Sequence, residues 1–137
     1  MDENIVALFK KQVKKNEEKK VIIFQNWWVT YKELDDMSDC VARFLKQKNY
    51  EKDSIVGIMV PRSIEMIIYI IGVLKAGLAY LPIDPAYPVE RVKYMLEDIE
   101  TNNTKKIANI ILNEAVDNNF GVIKDDMSII VCKFLKK

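Results

Sequence analysis

An α/β fold built from a β-hairpin, a βαβ unit and packed helices is predicted by the order of apolar runs along the chain. Residues 21–24 and 27–30 are short apolar runs separated by two polar residues, which suits a tight hairpin turn. Residues 55–60 and 78–83 are runs of strand length, and residues 64–74 between them are apolar over the length of a helix. Strand, helix and strand with short connections predict two parallel, buried strands joined by a right-handed crossover.

Local signals mark the ends of the predicted helices. Thr30 precedes Glu33 by three residues, a capping box that begins a helix. Ser63 suits the N-cap of the apolar helix, and Gly77 suits the position just after it, where positive φ is common. Pro88 can serve as the first residue of a later helix. Apolar residues at helical spacing support an opening helix and that later helix: Ile5, Leu8, Phe9 and Val13 in the first, and Val92, Met95, Leu96 and Ile99 in the second.

The character of the sequence changes after residue 99. Residues 100–106 are polar and predict a linker. Apolar residues then recur at helical spacing, so residues 107–116 are expected to form an amphipathic helix, with a final strand at 127–135. The predicted organisation is a main part at 1–99, a linker at 100–106 and an appended helix–strand tail at 107–137.

Composition argues against several classes of function. The 137 residues carry 21 Lys and Arg against 20 Asp and Glu, whereas nucleic-acid-binding domains normally show a clear basic excess. No apolar run approaches the roughly 20 residues that span a bilayer, and the first residues carry no apolar signal segment. The sequence has no histidine, the commonest general base. Cys40 and Cys132 form no metal-type or redox-type pair, which favours a reducing, cytoplasmic location. Charge balance and run length together predict neither nucleic-acid nor membrane partners.

Two patches carry a family resemblance. The first is Val-Thr-Tyr-Lys-Glu-Leu at 29–34, and the second is Leu-Lys-Ala-Gly-Leu-Ala-Tyr-Leu-Pro-Ile-Asp at 74–84, followed by Pro-Ala-Tyr-Pro. Their order and spacing resemble the first two core motifs of the amino-acid-adenylating domains of nonribosomal peptide synthetases. A capping box alone occurs on many helices, but the long second motif in order after the first is specific. The resemblance covers roughly residues 1–99 and implies the N-terminal part of an adenylate-forming enzyme fold.

The resemblance implies structural rather than catalytic roles for the motif residues. The intact family uses ATP and Mg²⁺, but its phosphate loop, its acidic ribose contact and its catalytic lysine belong to later motifs that this sequence lacks. Catalytic and cofactor-binding residues are therefore not expected here, and Lys75 is not expected to be catalytic. The sequence thus predicts a truncated adenylating domain that is inactive alone. The motif residues expected to be structural are Thr30, Tyr31, Glu33, Leu34, Leu74, Lys75, Ala76, Gly77, Ala79, Tyr80, Pro82 and Asp84.

The tail carries a second resemblance. Residues 105–135, and above all the Asp-Asp-Met-Ser sequence at 125–128, resemble the C-terminal end of a sporulation-type, metal-dependent serine/threonine phosphatase. That resemblance makes Asp125 a metal ligand. One carboxylate does not make a site for a hard cation, which takes about six oxygen ligands. The metal site is therefore expected to be vestigial, in a chain that joins the start of one protein to the end of another.

Two further functions compete with an inactive adenylating domain. The first is a small protein-interaction module, and the second is a remnant of a metal-dependent phosphatase. Self-association is also expected, because truncation of a larger sheet leaves an unpaired strand edge and apolar surface. The final strand at 127–135 could close that edge within one chain, giving a monomer, or between two chains, giving a swapped dimer.

Overall fold

The computed structural model describes residues 4–102, 107–113 and 128–131. Within them, a two-stranded hairpin and a four-stranded sheet are packed with helices, so the predicted α/β class is confirmed. In chain order the elements are α1 (Ile5–Asn16), β1 (Lys20–Phe24), β2 (Trp27–Thr30), α2 (Tyr31–Lys46), β3 (Ile55–Met59), α3 (Ile64–Lys75), β4 (Ala79–Pro82), α4 (Val89–Asn102), β5 (Ile107–Asn113) and β6 (Ser128–Val131).

The predicted hairpin is confirmed. β1 and β2 pair antiparallel, with Ile23 opposite Trp28. The turn between them places Gln25 at φ 54°, in the left-handed region that side chains other than glycine enter at a cost. Trp27 and Val29 on β2 are buried, so the hairpin presents one row of β2 side chains to the core.

The βαβ unit is also confirmed, because β3 and β4 pair parallel on either side of α3 in the chain. The larger sheet has the order β4-β3-β5-β6 and is parallel throughout. After β4 the chain crosses back over β3 to reach β5 on the other side. The strand order therefore reverses beside β3, and in open parallel sheets the crevice at such a reversal is where ligands usually bind.

Two groups of buried side chains hold these layers together. The larger group joins the hairpin, α2, α3 and β3, and includes Val56 and Ile58 of β3, both fully buried. Full burial of an aliphatic side chain of this kind stabilises the fold by roughly 1.5–3 kcal/mol. The smaller group joins α4 to the end of β4 through Ile83, Val92 and Leu96. The sheet is thus packed on one side against α3 and on the other against α4.

The crossing of α2 and α3 depends on a glycine inside a helix. A Cβ atom at Gly72 would lie 2.5 Å from the Cβ of Val41 and 3.0 Å from the carbonyl oxygen of Ser38. Carbon atoms in van der Waals contact lie about 3.5–4.0 Å apart, so no side chain fits at this position. Gly72 therefore sets how closely the two helices approach.

Three predictions about the second half of the chain are wrong. Residues 107–113 form strand β5, parallel to β3, and not the amphipathic helix expected at 107–116. Residues 100–102 continue α4, so the predicted linker at 100–106 begins inside a helix. The second βαβ strand is not buried on both faces, because β4 lies at the sheet edge and Tyr80 is 42% exposed.

The apolar run of β5 explains the first error. Its isoleucines stand at helical spacing, but a run of seven residues is as compatible with a strand. β-branched side chains favour extended backbone, and the free edge of β3 supplies a hydrogen-bonding partner that the sequence pattern does not reveal. β6 lies within the final strand predicted at 127–135 and pairs parallel with β5.

Candidate functional site

The first motif builds the start of α2. The hydroxyl oxygen of Thr30 accepts a hydrogen bond from the backbone N–H of Glu33 at 3.1 Å, and the Glu33 carboxylate accepts one from the N–H of Thr30 at 2.9 Å. This is the predicted capping box, and it satisfies backbone donors that a helix start leaves without partners. Tyr31 packs beside Phe9 of α1, and Leu34 is buried. The motif residues thus serve helix initiation and core packing.

The lysine of the second motif forms a largely buried ion-pair cluster. The Lys75 ammonium lies 2.6 Å from a carboxylate oxygen of Asp35 and 2.7 Å from one of Asp39, and it also donates to the Asp35 carbonyl oxygen at 3.0 Å. The Lys75 side chain is 4% exposed. The Phe9 ring lies 5.5 Å from the same ammonium, within cation–π range. Lys75 therefore ties α3 to α2 and α1.

Among the described residues, the aspartates around Lys75 are the group whose spacing best suits a metal ion. Carboxylate oxygens of Asp35, Asp36 and Asp39 lie within 4.8 Å of one another. Two of these three groups already bind Lys75, and the third pairs with Lys32 at 3.4 Å. Lysine ammonium groups thus occupy the position that a cation would take.

The glycine of the second motif ends α3 as predicted. Gly77 has φ 78°. Its N–H donates to the carbonyl oxygen of Leu74, and the N–H of Leu78 donates to that of Val73. This pair of hydrogen bonds is the Schellman arrangement, which satisfies carbonyl groups left over at a helix end. The Gly77 carbonyl accepts from the N–H of Asp53, so the cap is also joined to the loop before β3.

The end of the second motif shapes a loop at the carboxyl ends of β3 and β4. The Asp84 carboxylate accepts a hydrogen bond from the N–H of Ala86 at 2.9 Å, which is the predicted Asx turn. The Arg91 guanidinium stacks over the Tyr87 ring at 4.4 Å and links the loop to α4. The helix begins at Val89, one residue after the position predicted for Pro88.

An open groove runs along this loop. Its charged lining residues are one arginine and one aspartate, and most other lining residues are apolar, namely Pro61, Arg62, Met66, Pro82, Ile83, Asp84, Pro85, Ala86 and Tyr87. The lining contains no glycine, although phosphate loops depend on glycine for close backbone approach. The groove therefore differs in composition from a glycine-rich phosphate loop.

The structure separates the sequence-predicted residues into two places. One group lies at the start of α2 or contacts that helix, namely Thr30, Glu33, Leu34 and Lys75. The other group lies on the edge strand β4 or just after it, namely Tyr80, Pro82 and Asp84. Sequence reasoning missed the Asp35–Lys75–Asp39 cluster and Gly72. A usable signal existed, because two acids four residues apart on one helix can share one cation from a neighbouring element. Asp125 lies outside the described residues.

The α/β scaffold that the two motifs build is the one the sequence resemblance implies, and comparison with known proteins identifies its class. Residues 9–116 match the family model described as AMP-binding enzyme. The chain therefore belongs to the AMP-binding enzyme family. The match extends beyond residue 99 and takes in β5, and the phosphatase resemblance of the tail finds no support.

The similar curated proteins are nonribosomal peptide synthetases. Gramicidin S synthase 2 of Brevibacillus brevis is 48% identical over 105 residues, which are 77% of this chain and 2% of that protein. Bacitracin synthase 3 of Bacillus licheniformis is 47% identical over 100 residues, 73% of this chain and 2% of that protein. Tyrocidine synthase 2 of Brevibacillus parabrevis is 40% identical over 124 residues, 87% of this chain and 4% of that protein. The chain thus spans only a few per cent of these relatives.

Solved structures share the fold. The nonribosomal peptide synthetase FmoA3, bound to AMPPNP, superposes with a TM-score of 0.79 and 23% identity over 92% of this chain and 13% of its own. The N-terminal subdomain of Klebsiella oxytoca NpsA superposes with a TM-score of 0.73 and 19% identity over 93% of this chain and 31% of its own. The chain therefore corresponds to an N-terminal fragment of an adenylation domain. Within the described residues, no helix has both the length and the apolar character that crossing a membrane requires.

Proposed function

We propose that this chain supplies the N-terminal scaffold of an amino-acid-adenylating domain and does not activate amino acids alone. The observation that carries the proposal is the role of the motif residues: the hydroxyl and carboxylate of the first motif cap α2, and Lys75 of the second motif is held by Asp35 and Asp39. None of these groups is left to contact a reacting phosphate. Preorganised charge at the transferring group is usually the largest catalytic contribution, and the sequence contains no Gly/Ser/Thr-rich loop to supply it.

Exchange of labelled pyrophosphate into ATP tests this proposal. The 137-residue chain is expected to give the same signal as a no-protein blank with each amino acid tried. A complete adenylation domain from a related synthetase, assayed in the same buffer, shows that the assay detects turnover. Amino-acid-dependent exchange by the chain above the blank would overturn the proposal.

Cofactor binding follows the same reasoning. ATP and Mg²⁺ serve the intact family, and neither is expected to bind this chain tightly. The groove at the strand ends has one guanidinium, from Arg62, and one carboxylate, from Asp84, so its charges nearly cancel. Calorimetric titration of Mg²⁺–ATP into the chain is expected to give only heats of dilution.

Asp125 is proposed to bind a divalent metal weakly or not at all. Its sequence neighbourhood offers Asp126 but not the roughly six oxygen ligands that a hard cation takes. Titration of manganese into the chain and into Asp125→Ala should give the same nearly flat isotherm. Tight binding that depends on Asp125 would instead restore a phosphatase-type site.

Location and origin are also proposals. A cytoplasmic location is favoured by the sequence and by Cys40, which is free and exposed in the structure.

A gene fusion is proposed only for residues 117–137, because the family match ends at residue 116. Sequencing outward through both ends of the gene tests it, because a frame-disrupted synthetase next to the gene would show where the segment originated.

A protein-interaction module is the competing function. The observation that favours it is a groove between α1 and α2 that is lined mainly by cations and shares no lining residue with the groove at the strand ends. Its charge and shape support a specific kind of partner.

A further inference from the structure

The groove between α1 and α2, which Lys75 of α3 also lines, is called the basic groove below. Its volume is about 150 Å³, which is enough for side chains of a partner but not for a large cofactor. The residues that line it are Val6, Lys10, Asp39, Ala42, Arg43, Lys46 and Lys75.

Helix geometry explains why these residues share one surface. On α2, Asp39, Ala42, Arg43 and Lys46 follow the three- and four-residue spacing that places side chains on one helix face. On α1, Val6 and Lys10 are four residues apart and lie on the opposing wall. Ala42 is small and 4% exposed, so the bottom of the groove between α1 and α2 is apolar.

The net charge of the basic groove is positive. The carboxylate of Asp39 is already held by the Lys75 ammonium at 2.7 Å. Lys10, Arg43 and Lys46 are all exposed. Among the described residues no carboxylate pairs with any of these three cations, and Arg43 contacts the sulfur of Cys40 at 3.3 Å. The Asp35–Lys75–Asp39 cluster keeps one negative charge, so the three exposed cations still leave the groove with a net positive charge.

We propose that the basic groove binds an acidic helical segment of a partner protein. Carboxylates on such a segment meet the cations of both walls, and small apolar side chains of the segment lie over Val6 and Ala42. A helix laid between two helices presents side chains at the three- and four-residue spacing that matches α2. Charge complementarity of this kind chiefly raises association rate and specificity.

Other anionic partners fit the surface less well. Nucleic acid is recognised by extended basic surfaces, whereas this chain has 21 basic and 20 acidic residues and the groove has three exposed cations. A membrane surface is flat, whereas the cations here line a concave surface between two helices. A peptide can enter that concavity.

Fluorescence anisotropy with a labelled acidic amphipathic peptide tests the proposal. The probe is a synthetic helix with Glu at four-residue spacing and Ala between, titrated with the full chain at low and at physiological salt. Lys10→Glu and Lys46→Glu are each expected to weaken binding by about tenfold or more. Their matched controls are Lys15→Glu, an exposed site five residues along α1 and so on another side of that helix, and Lys52→Glu, an exposed site before β3. The controls make the same change in net charge and are expected to shift affinity by less than about threefold, because screening limits distant charges.

Lys10→Met and Lys46→Met guard against misfolding. They remove the charge but keep an apolar side chain. Each variant should keep the thermal unfolding midpoint of the parent chain and bind the peptide more weakly. Equal weakening by groove and control variants would show that only net charge matters, and would overturn the proposal. Groove-dependent binding to phosphatidylserine vesicles with no peptide binding would also overturn it, in favour of a lipid surface. The pyrophosphate exchange result is independent of either outcome.

Discussion

Gly77 lies where only its conformation, and not its size, restricts substitution. It has φ 78°, and an added Cβ would meet nothing within 4 Å. A β-branched residue at positive φ is strained by roughly 1–3 kcal/mol, whereas Asn adopts this conformation readily. Gly77→Val is therefore expected to lower the urea midpoint markedly, and Gly77→Asn much less. Equal midpoints for the two variants would mean that the backbone strain is not what selects glycine here.

Lys75 gives a second prediction at the scale of single residues. Lys75→Met leaves Asp35 and Asp39 close together without their cation, and loss of one partner from a buried ion pair costs up to several kcal/mol. Because both carboxylates remain partly exposed, we expect about 2 kcal/mol, measured by urea unfolding.

The matched control for Lys75 is another lysine–aspartate pair on α2. Lys32 and Asp36 are 55% and 62% exposed, so Lys32→Met should cost less than about 0.5 kcal/mol. Adding Asp35→Asn and Asp39→Asn to Lys75→Met should recover part of the loss, because charged partners are no longer left behind. Similar costs for Lys75→Met and Lys32→Met would show that the cluster is not important for stability.

Single residues also show what sequence can and cannot predict. The predicted helix caps and Asx turn are confirmed, because each acts on backbone groups only two or three positions away. The residues concerned are Thr30, Glu33, Ser63, Gly77 and Asp84. The Lys75 cluster joins residues 36 and 40 positions apart in the chain. Such a contact depends on how α2 and α3 cross, which no local pattern contains.

The crossing of α2 and α3 is set by Gly72, which gives a prediction at the scale of elements. In an isolated helix, Gly→Ala stabilises by about 1 kcal/mol. Here the new Cβ would lie 2.5 Å from Val41 and 3.0 Å from the Ser38 carbonyl, and overpacking of this kind costs roughly 1–3 kcal/mol. Gly72→Ala is therefore expected to destabilise overall, as measured by thermal unfolding.

A second substitution distinguishes crowding from other causes. Val41→Ala removes the methyl carbon that lies 2.6 Å from the added Cβ but keeps the Val41 Cβ at 2.5 Å, so it relieves only part of the crowding. The double variant Gly72→Ala/Val41→Ala should therefore cost less than the sum of the two single variants. Strict additivity, or a Gly72→Ala variant that is more stable than the parent, would contradict the close crossing.

At the same scale, β5 shows where an apolar pattern is ambiguous. The hairpin and the βαβ unit were predicted because turn residues and caps separate their strands from helices. The polar residues 100–106 mark a break before residues 107–113 but do not distinguish a following strand from a helix, and the period of the run favoured a helix. The deciding interaction is the parallel pairing of β5 with β3, a partner about 50 residues earlier in the chain, and only the assembled sheet provides it.

For the whole molecule, the sheet edges govern association. The backbone N–H groups of Ala79 and Ile83 donate hydrogen bonds toward β3. Because backbone groups alternate in direction along a strand, those of Tyr80 and Pro82 point to the open side of β4. Proline has no N–H, so the outer edge of β4 offers a single backbone donor, from Tyr80. Proline on an edge strand is a common means of preventing strand addition. Association through β4 is therefore disfavoured.

Exchange of β6 remains as a route to a dimer. In the structure β6 pairs with β5 of the same chain, and exchange between two chains would keep each of those contacts while changing which chain supplies the strand. The intrachain pairing of β6 is the monomer arrangement, so a dimer requires β6 to leave its own β5; we expect this exchange at micromolar concentration, visible by light scattering. Ile129→Pro, which removes a backbone donor within β6, should shift the sample to monomer, whereas Tyr80→Pro on β4 should leave the mass unchanged. A monomer that binds no hydrophobic dye would contradict the exposed-edge argument, and a dimer lost only in Tyr80→Pro would place the contact at β4 instead.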